Sequence, residues 1–541
     1  MTIPVIDIFA GPGGLGEGFS AFESDDSPKP FHVKLSIEKD VSAFETLKLR
    51  SFYRQFPRGE APKIYYDVLR QRIPAAALPG HLKGSQTLFN CWKAAEEEAL
   101  HAELGSSEPT HEMIGRRIVQ ALGDTRSPWV LIGGPPCQAY SVVGRARNRG
   151  NRGYRIEKDQ RSSLYREYLR IIADHWPAVF VMENVKGMLS ATVQNANIFD
   201  QIIEDLKSPL AAFGHEKRIK PSQRYRIVPL VRRGASLLND TYNPTDFIVP
   251  CERFGIPQMR HRVILVGIRE DLGDIGLPAL EPANAPVVND VIGDLPKLRS
   301  GLSRRRSSER YVQLEDSADL WIQAITDRTL GKQSTGRRWL KSLSNGHGSE
   351  VNDEIRRVVG ALSAPAEDRG AEFIPYSGTP AESNPLHWWY CDPRLGGVCN
   401  HMTRGHMESD LARYLFATCY ARVYGTSPKL HEFPADLLPA HHNASSGDFN
   451  DRFRVQVGEQ PSTTIVSHIS KDGHYFIHPD PEQCRSLTVR EAARLQTFPD
   501  NYYFCGPRTA QYVQVGNAVP PLLARQIAGC VWALLKEAGK V

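Results

Sequence analysis

The stretch Leu131–Ser141 reads LIGGPPCQAYS, and its reading decides the fold. Val130, Leu131 and Ile132 look like the end of a buried strand, which two glycines and two prolines then stop. Cys137 is thereby predicted to sit on a stiff turn at the carboxyl end of a strand, where open α/β sheets place their ligands. Proline fixes φ and removes backbone donors, so the thiol is presented at a defined angle. A lone cysteine is ordinarily a small buried hydrophobe. A nucleophile at position 137 therefore needs the other parts of a thiolate site elsewhere in the chain.

Working outward from this turn, apolar runs alternate with helical ones. Ile3–Phe9 is strand-like, a glycine turn follows, and Leu15–Phe22 opens a helix. Val33–Glu38 reads as a second strand and Ile64–Asp67 as a third. Ser85–Leu104 and Glu112–Leu122 have helical composition and look inserted before the Trp129–Ile132 strand. Ser162–Asp174 reads as a helix, and Val179–Met182 and Val263–Ile268 as strands. This βα alternation predicts an α/β fold with a doubly wound, mostly parallel sheet. From about residue 272 the rhythm is lost, and it returns at Leu411–Tyr424. Thr488 and Glu491 form a capping box for a helix over Thr488–Thr497, and Leu522–Lys536 reads as a final amphipathic helix. His387–Tyr390, HWWY, fits a core cluster better than a base-stacking surface.

At 541 residues the chain exceeds one ordinary core, so two or more domains are expected. Composition is that of a globular protein, and no apolar run stands out as long enough to span a bilayer. The first strand starts almost at the initiator, which leaves no room for a signal peptide and predicts a cytoplasmic protein. Nine cysteines include no CxxC pair, so a metal centre is not expected. Net charge is only +5, yet Gly144–Arg155 (GRARNRGNRGYR) and Ser303–Arg310 (SRRRSSER) concentrate arginines. The first run follows Cys137 and contains three glycines, as a loop closing over a polyanion would. The second suits a solvated loop equally well.

Three further groups carry chemistry. Gly11, Gly13 and Gly16 in DIFAGPGGLGEGF make a GxGxxG turn between a strand and a helix, a weak sign of a nucleotide site by itself. Glu38 closes the second strand and could accept ribose hydroxyls, while Phe9 offers a face for an adenine or a methionyl chain. Glu183, in VFVMENVKG, ends an apolar strand as Cys137 does; desolvation there favours the protonated acid, able to donate to a ring nitrogen. The bland alternative is a capping glutamate. Gln258, Arg260 and Arg262 alternate in GIPQMRHRVILV, so they share one strand face, suited to phosphate or carbonyl oxygen or simply to solvent.

Together these segments resemble the DNA cytosine-5 methyltransferase family. DIFAGPGG is similar to its cofactor motif, GGPPCQ to its catalytic motif, ENV to its acid motif and QMRHR to its QxRxR motif. Arg485–Asp500 (RSLTVREAARLQTFPD) and Gln514–Pro520 (QVGNAVP) match its last two motifs, all six in family order. The resemblance implies a Rossmann-like methyltransferase fold, S-adenosylmethionine as cofactor, double-stranded DNA as substrate and a place in a bacterial restriction-modification or defence system. It implies catalytic roles for Cys137, Glu183, Asn184, Arg260 and Arg262. Around the cofactor it implies Asp7, Phe9, Ala10, Gly11, Gly13, Gly14, Leu15, Glu38, Lys39, Pro135, Asn517 and Ala518. The family's acid after the third strand falls on Asp67, with Asp124 competing. DNA contacts are expected from Gln138, Ser141, Arg145, Arg147, Gln258, Thr463 and Thr464. The implied domains are a catalytic part over 1–271 with a helical insertion at about 69–127, a target-recognition domain over 272–484, and a return to the catalytic domain over 485–541. The long 272–484 segment sets the chain apart from the tRNA-acting branch, whose recognition region is compact. A methyltransferase-like binder without activity is disfavoured by Cys137, Glu183 and Arg262, and an NAD oxidoreductase leaves five motifs unexplained.

Overall fold

The computed structural model describes residues 2–123, 127–136, 160–190, 192–193, 196–214, 223–231, 242–303, 305–307, 310–312, 315–330, 336–343, 348–378, 380–439 and 450–541. Asp124, Cys137, Gln138, Ser141, Arg145, Arg147 and the whole Gly144–Arg155 run lie outside the described residues.

The central sheet consists of β1 (Ile3–Ile8), β2 (Phe31–Glu38), β3 (Ala99–His101), β4 (Val130–Gly133), β5 (Val179–Val185), β6 (Tyr225–Val228) and β7 (His261–Arg269). Their order is β3-β2-β1-β4-β5-β7-β6, and the short strand Ile248–Pro250 also pairs with β7. β1 to β5 run parallel, while β7 lies antiparallel between β5 and β6. The expected doubly wound, mostly parallel sheet is what forms.

Alternate residues of each strand feed two separate cores, as the period of two requires. Val5, Val130, Ile132, Val179, Val181, Ile264 and Val266 face one core, shared with α1 (Gly14–Ser20) and the C-terminal helices. Ile6, Leu131, Phe180, Met182, Val263 and Leu265 face the other. Strands buried on both faces read as near-continuous apolar runs, so they stood out in the sequence.

The segment between β2 and β4 departs from expectation. Ile64–Asp67 is not a strand: it lies in helix α3 (Lys63–Leu69), which buries Tyr65, Tyr66, Val68 and Leu69. The third strand is Ala99–His101, reached after α2 (Val41–Arg54), α3, α4 (Leu78–Leu82) and α5 (Gln86–Glu98). The helix predicted over Ser85–Leu104 therefore stops at Glu98, because Ala99, Leu100 and His101 pair with Ser36, Ile37 and Glu38 of β2. α6 (His111–Leu122) is an ordinary crossover helix that buries Ile114 and Ile118 against the sheet. The helices α3 to α5 lie over a separate core that includes Tyr65, Tyr66, Leu78, Trp92, Leu395 and Cys399.

Further along, α7 (Gln160–His175) links β4 to β5. A separate core holds Trp321, Trp339, Ile355, Leu415 and Phe453, built on helices such as α8 (Glu408–Tyr424). Other parts of the same stretch join the sheet: Leu386, Trp389, Val398, Ile465 and Phe476 pack in the first core. Of the HWWY cluster, Trp389 and Tyr390 are buried as expected, whereas Trp388 is exposed. α9 (Val489–Leu495) carries the expected capping box: the Glu491 amide donates to Thr488 Oγ1 (3.2 Å) and the Thr488 amide to Glu491 Oε2 (2.7 Å).

The last two helices are α10 (Arg508–Asn517) and α11 (Pro521–Glu537). Against the expectation from composition, Arg508–Glu537 is long and apolar enough to pass for a membrane span, but 78% of its apolar window is buried inside the protein. α11 lies against α1 at close range. A Cβ at Gly14 would stand 2.3 Å from the Val519 carbonyl oxygen, so only glycine allows the approach.

Candidate active site

In a doubly wound sheet the ligand crevice opens where the strand order reverses, here between β1 and β4. The turns after these two neighbours carry Phe9–Gly13 and Gly134–Pro136. Gly134 rests directly on the acid motif: a Cβ there would stand 3.0 Å from Glu183 Oε2. Asn184 Nδ2 donates to the Pro135 carbonyl (3.4 Å), and its Oδ1 accepts from the Val185 amide (2.8 Å). Asn184 thus fixes the peptide two residues before Cys137, and Glu183 lies against the glycine next to it.

Glu183 is not a lone acid. It lies opposite Ile264 on β7, and the diagonal neighbour on the same face is Arg262. Arg262 Nε stands 2.7 Å from Glu183 Oε1, with both side chains nearly enclosed. Arg262 Nη1 also donates to the His261 carbonyl (2.9 Å).

The single strand face expected of Gln258, Arg260 and Arg262 is interrupted: Gln258 sits in a short strand that pairs with Ser462, Arg260 falls between that strand and β7, and both are buried structural clamps. Gln258 Nε2 donates to the Leu495 carbonyl (3.1 Å), and Gln258 Oε1 accepts from the Ile465 amide (2.8 Å). Arg260 donates to the carbonyls of Ile465 (2.7 Å), Gly516 (3.2 Å) and Ala518 (2.9 Å). With 0% and 1% exposure, neither side chain reaches solvent. The DNA contact expected of Gln258 and the catalytic contact expected of Arg260 are therefore corrected: their polar atoms are occupied by backbone more than 200 residues away. Thr463 and Thr464 are likewise used internally, Thr463 Oγ1 donating to Gln456 Oε1 (3.1 Å) and Thr464 Oγ1 to the Met259 carbonyl (2.7 Å).

On the β1 side, Phe9 has a left-handed φ of 56° that swings the chain out of the strand. The Ala10 amide donates to the Ile37 carbonyl (3.1 Å) and the Gly11 amide to Glu38 Oε2 (2.7 Å). Glu38 Oε1 accepts from the Asp40 amide (2.7 Å), and burial raises the Glu38 pKa above the usual carboxylate value. Among the GxGxxG glycines only Gly11 faces open space; a Cβ at Gly13 would meet Leu47 and one at Gly16 would meet Asp7. Gly14 meets Val519 and the Leu15 side chain is core, so from these residues only the backbone is offered to a ligand. Asp7 is corrected as a contact: it is fully buried beneath the turn. Burial raises its pKa to about 8 despite the nearby Arg54. Asn517, at the end of α10, is exposed, and the buried Ala518 beside it is fixed by Arg260.

Asp67 is also corrected. On α3 it follows no strand and is paired with Lys63 and Arg72. The acid that follows β3 is Glu103, half-exposed and 3.1 Å from Lys39 Nζ. The only sequence signal for it was the short apolar stub Ala99-Leu100 within an otherwise helical composition. Open space at Gly11, an aromatic face at Phe9, the Glu38 carboxylate at the end of β2 and the acid Glu103 suit a group with an aromatic base and ribose hydroxyls.

Fold and site define an α/β enzyme with a glycine turn and the Glu38 carboxylate on one side of the crevice and an acid–arginine pair on the other. The family model for C-5 cytosine-specific DNA methylase matches residues 117–214 and 235–531. The chain is 34% identical over 544 residues to the type II methyltransferase M.Bpa9945I of Bacillus paralicheniformis, covering 97% of this chain and 98% of that one. It is 26% identical to the type II methyltransferase M.AgeI of Thalassovita gelatinovora, over 74% of this chain and 81% of that one. It is also 26% identical to the DNA (cytosine-5-)-methyltransferase M.ApeKI of Aeropyrum pernix, over 74% and 80%. The chain belongs to the C-5 cytosine-specific DNA methylase family, and it is a DNA cytosine-5-methyltransferase.

Proposed function

We propose that the chain methylates C5 of a cytosine flipped out of double-stranded DNA, with S-adenosylmethionine as donor and Cys137 as nucleophile. The observation that carries this reading is the Glu183–Arg262 pair set against the Gly134–Pro135 turn. Bases reacted upon by methyltransferases leave the stack, so the crevice has to accept an extruded ring.

When bound, S-adenosylmethionine supplies an electrophilic methyl group. Phe9, Gly11, Glu38, Lys39, Glu103 and Asn517 are the residues that would hold it. The Cys137 thiolate adds to C6 of the ring, forming an S–C6 bond while the C5=C6 π electrons become nucleophilic at C5. Glu183 holds a proton toward N3, which drains charge from the ring, and Arg262 turns toward O2. Asn184 orients the base from the Pro135 peptide. Once C5 carries the methyl group, its proton passes to water, the S–C6 bond breaks as C5=C6 re-forms, and N3 gives its proton back to Glu183, which returns the thiolate. The part of 272–484 with its own core is the candidate reader of target sequence, and the Gly144–Arg155 run the candidate loop that closes behind the base. Relatives named as type II methyltransferases support a role in a restriction-modification system.

The test is covalent trapping. DNA containing 5-fluorocytosine, incubated with S-adenosylmethionine, is expected to yield a stable protein–DNA adduct that Cys137→Ala abolishes. Ordinary methylation by the alanine variant would end the assignment. Glu183→Gln is expected to slow methyl transfer by about 100-fold while leaving DNA affinity near wild type. Equal losses of binding and rate would make Glu183 a positioning residue only.

A further inference from the structure

Beneath the Phe9–Gly14 turn lies a buried cluster of charges that the mechanism does not use. Glu17 on α1 pairs with Arg50 on α2, Arg50 Nε donating to Glu17 Oε2 at 2.9 Å and Nη2 reaching Oε1 at 2.5 Å. Arg50 also donates to Asn501 Oδ1 (2.9 Å) and its guanidinium covers the Tyr502 ring. The Tyr502 hydroxyl in turn donates to the Pro12 carbonyl inside the turn. One turn further along α2, Arg54 pairs with Glu98, and the Ser51 hydroxyl donates to the same Glu98 oxygen at 2.7 Å. Arg50, Arg54, Glu17 and Glu98 are all at least nine-tenths buried.

Arg54 reaches under the turn. Its Nη1 lies 3.9 Å from the place of a Cβ on Gly13, 4.0 Å from that on Gly16 and 3.9 Å from Glu17 Oε2. Neither Nη1 nor Nε of Arg54 makes a hydrogen bond. Its side-chain hydrogen bonds all fall on Nη2, to Glu98 and Ser51, while Nη1 keeps the longer ion pair with Glu17. Glu98 is the last residue of α5 and directly precedes β3, so it stands where the α3–α5 segment joins the sheet. A guanidinium with unbonded nitrogens under a glycine turn, tethered at that junction, couples the end of α5 to the turn.

We infer that Glu98 is a positioning residue for the cofactor: it holds Arg54 beneath Gly13–Gly16 and so keeps the Phe9–Gly14 turn in binding shape, which makes α3–α5 a working part of the cofactor site. This rests on the reading of that turn as the S-adenosylmethionine site. Without the Glu98 carboxylate, Arg54 is drawn to Glu17 and Asp7, and the turn above them shifts.

The experiment uses the full chain with Glu98→Gln, nearly isosteric but uncharged, and Glu98→Asp as the conservative partner. Binding of S-adenosylhomocysteine is measured by calorimetry, DNA affinity by anisotropy, and amide exchange across Phe9–Gly14 without ligand. Glu98→Gln is expected to weaken S-adenosylhomocysteine roughly tenfold, within the range of ordinary coupling between sites, and to speed exchange in the turn. DNA affinity stays within about twofold, and Glu98→Asp recovers most of the loss. Unchanged ligand binding with unchanged exchange in the turn would overturn the inference. So would parallel losses of ligand and DNA binding with exchange raised throughout the sheet, in either variant. If the wild-type chain does not bind S-adenosylhomocysteine, the cofactor reading fails, and exchange at Phe9–Gly14 still decides whether Glu98 holds the turn.

Discussion

Replacing Asp7 by asparagine should change how the protein's stability responds to pH. Asp7 has 0% exposure, and burial raises its pKa from 3.8 to about 8, against the opposing pull of Arg54. The folded chain therefore keeps a proton that the unfolded chain releases above pH 3.8. Between about pH 4 and pH 8 each step toward alkali favours the unfolded state, and above pH 8 the effect is complete. At about 1.4 kcal/mol per pH unit, the full span is on the order of 5 kcal/mol. Asparagine has a similar shape and takes up no proton, so the stability of Asp7→Asn minus that of wild type should climb steadily from pH 5.5 to 8. Urea unfolding followed by circular dichroism at fixed ionic strength measures that difference. The constant offset from burying an amide does not matter, because only the slope reports on Asp7. A flat difference across this window, or one that falls as pH rises, would refute the reasoning.

The two arginines of QMRHR should separate cleanly. Arg260→Met leaves three buried carbonyls without donors and should cost about 3–5 kcal/mol of stability, whereas Arg262→Lys should keep the melting temperature near wild type and cut turnover by roughly 100-fold. Thermal melts beside single-turnover assays distinguish them, and similar losses of stability would show Arg262 to be a clamp too. Gly14→Ala should destabilise by about 2 kcal/mol by driving α1 away from Val519. Gly11→Ala faces open space and carries only the strain of a positive φ, about 1 kcal/mol, so its main effect should be on cofactor affinity by calorimetry.

Val130–Ile132, Val179–Met182 and Val263–Ile268 were legible because strands covered on both faces must be apolar throughout. Ala99–His101 was not, since three residues following Ala95-Glu96-Glu97-Glu98 carry too little pattern to betray a strand edge. Its misplacement moved the acid after the third strand from Glu103 to Asp67. The alternation of Gln258, Arg260 and Arg262 suggested one strand face, but the strand breaks at Arg260. A period of two cannot say which face is covered, and the covering segments around Ile465 and Gly516 are more than 200 residues distant. Glu183 and Arg262 were legible as separate motifs, but their pairing required the antiparallel register of β5 with β7.

The Arg260 clamp also bears on when the enzyme comes into being. Its three acceptors, Ile465, Gly516 and Ala518, are made long after the strands they complete, and α11, which packs on α1, is made after them. Pairings this distant in sequence come late in folding. A chain broken off before residue 516 has its acid motif and its glycine turn but leaves Arg260 one of its three carbonyls, that of Ile465. The segment leading into β7 is therefore completed by backbone made about 250 residues later.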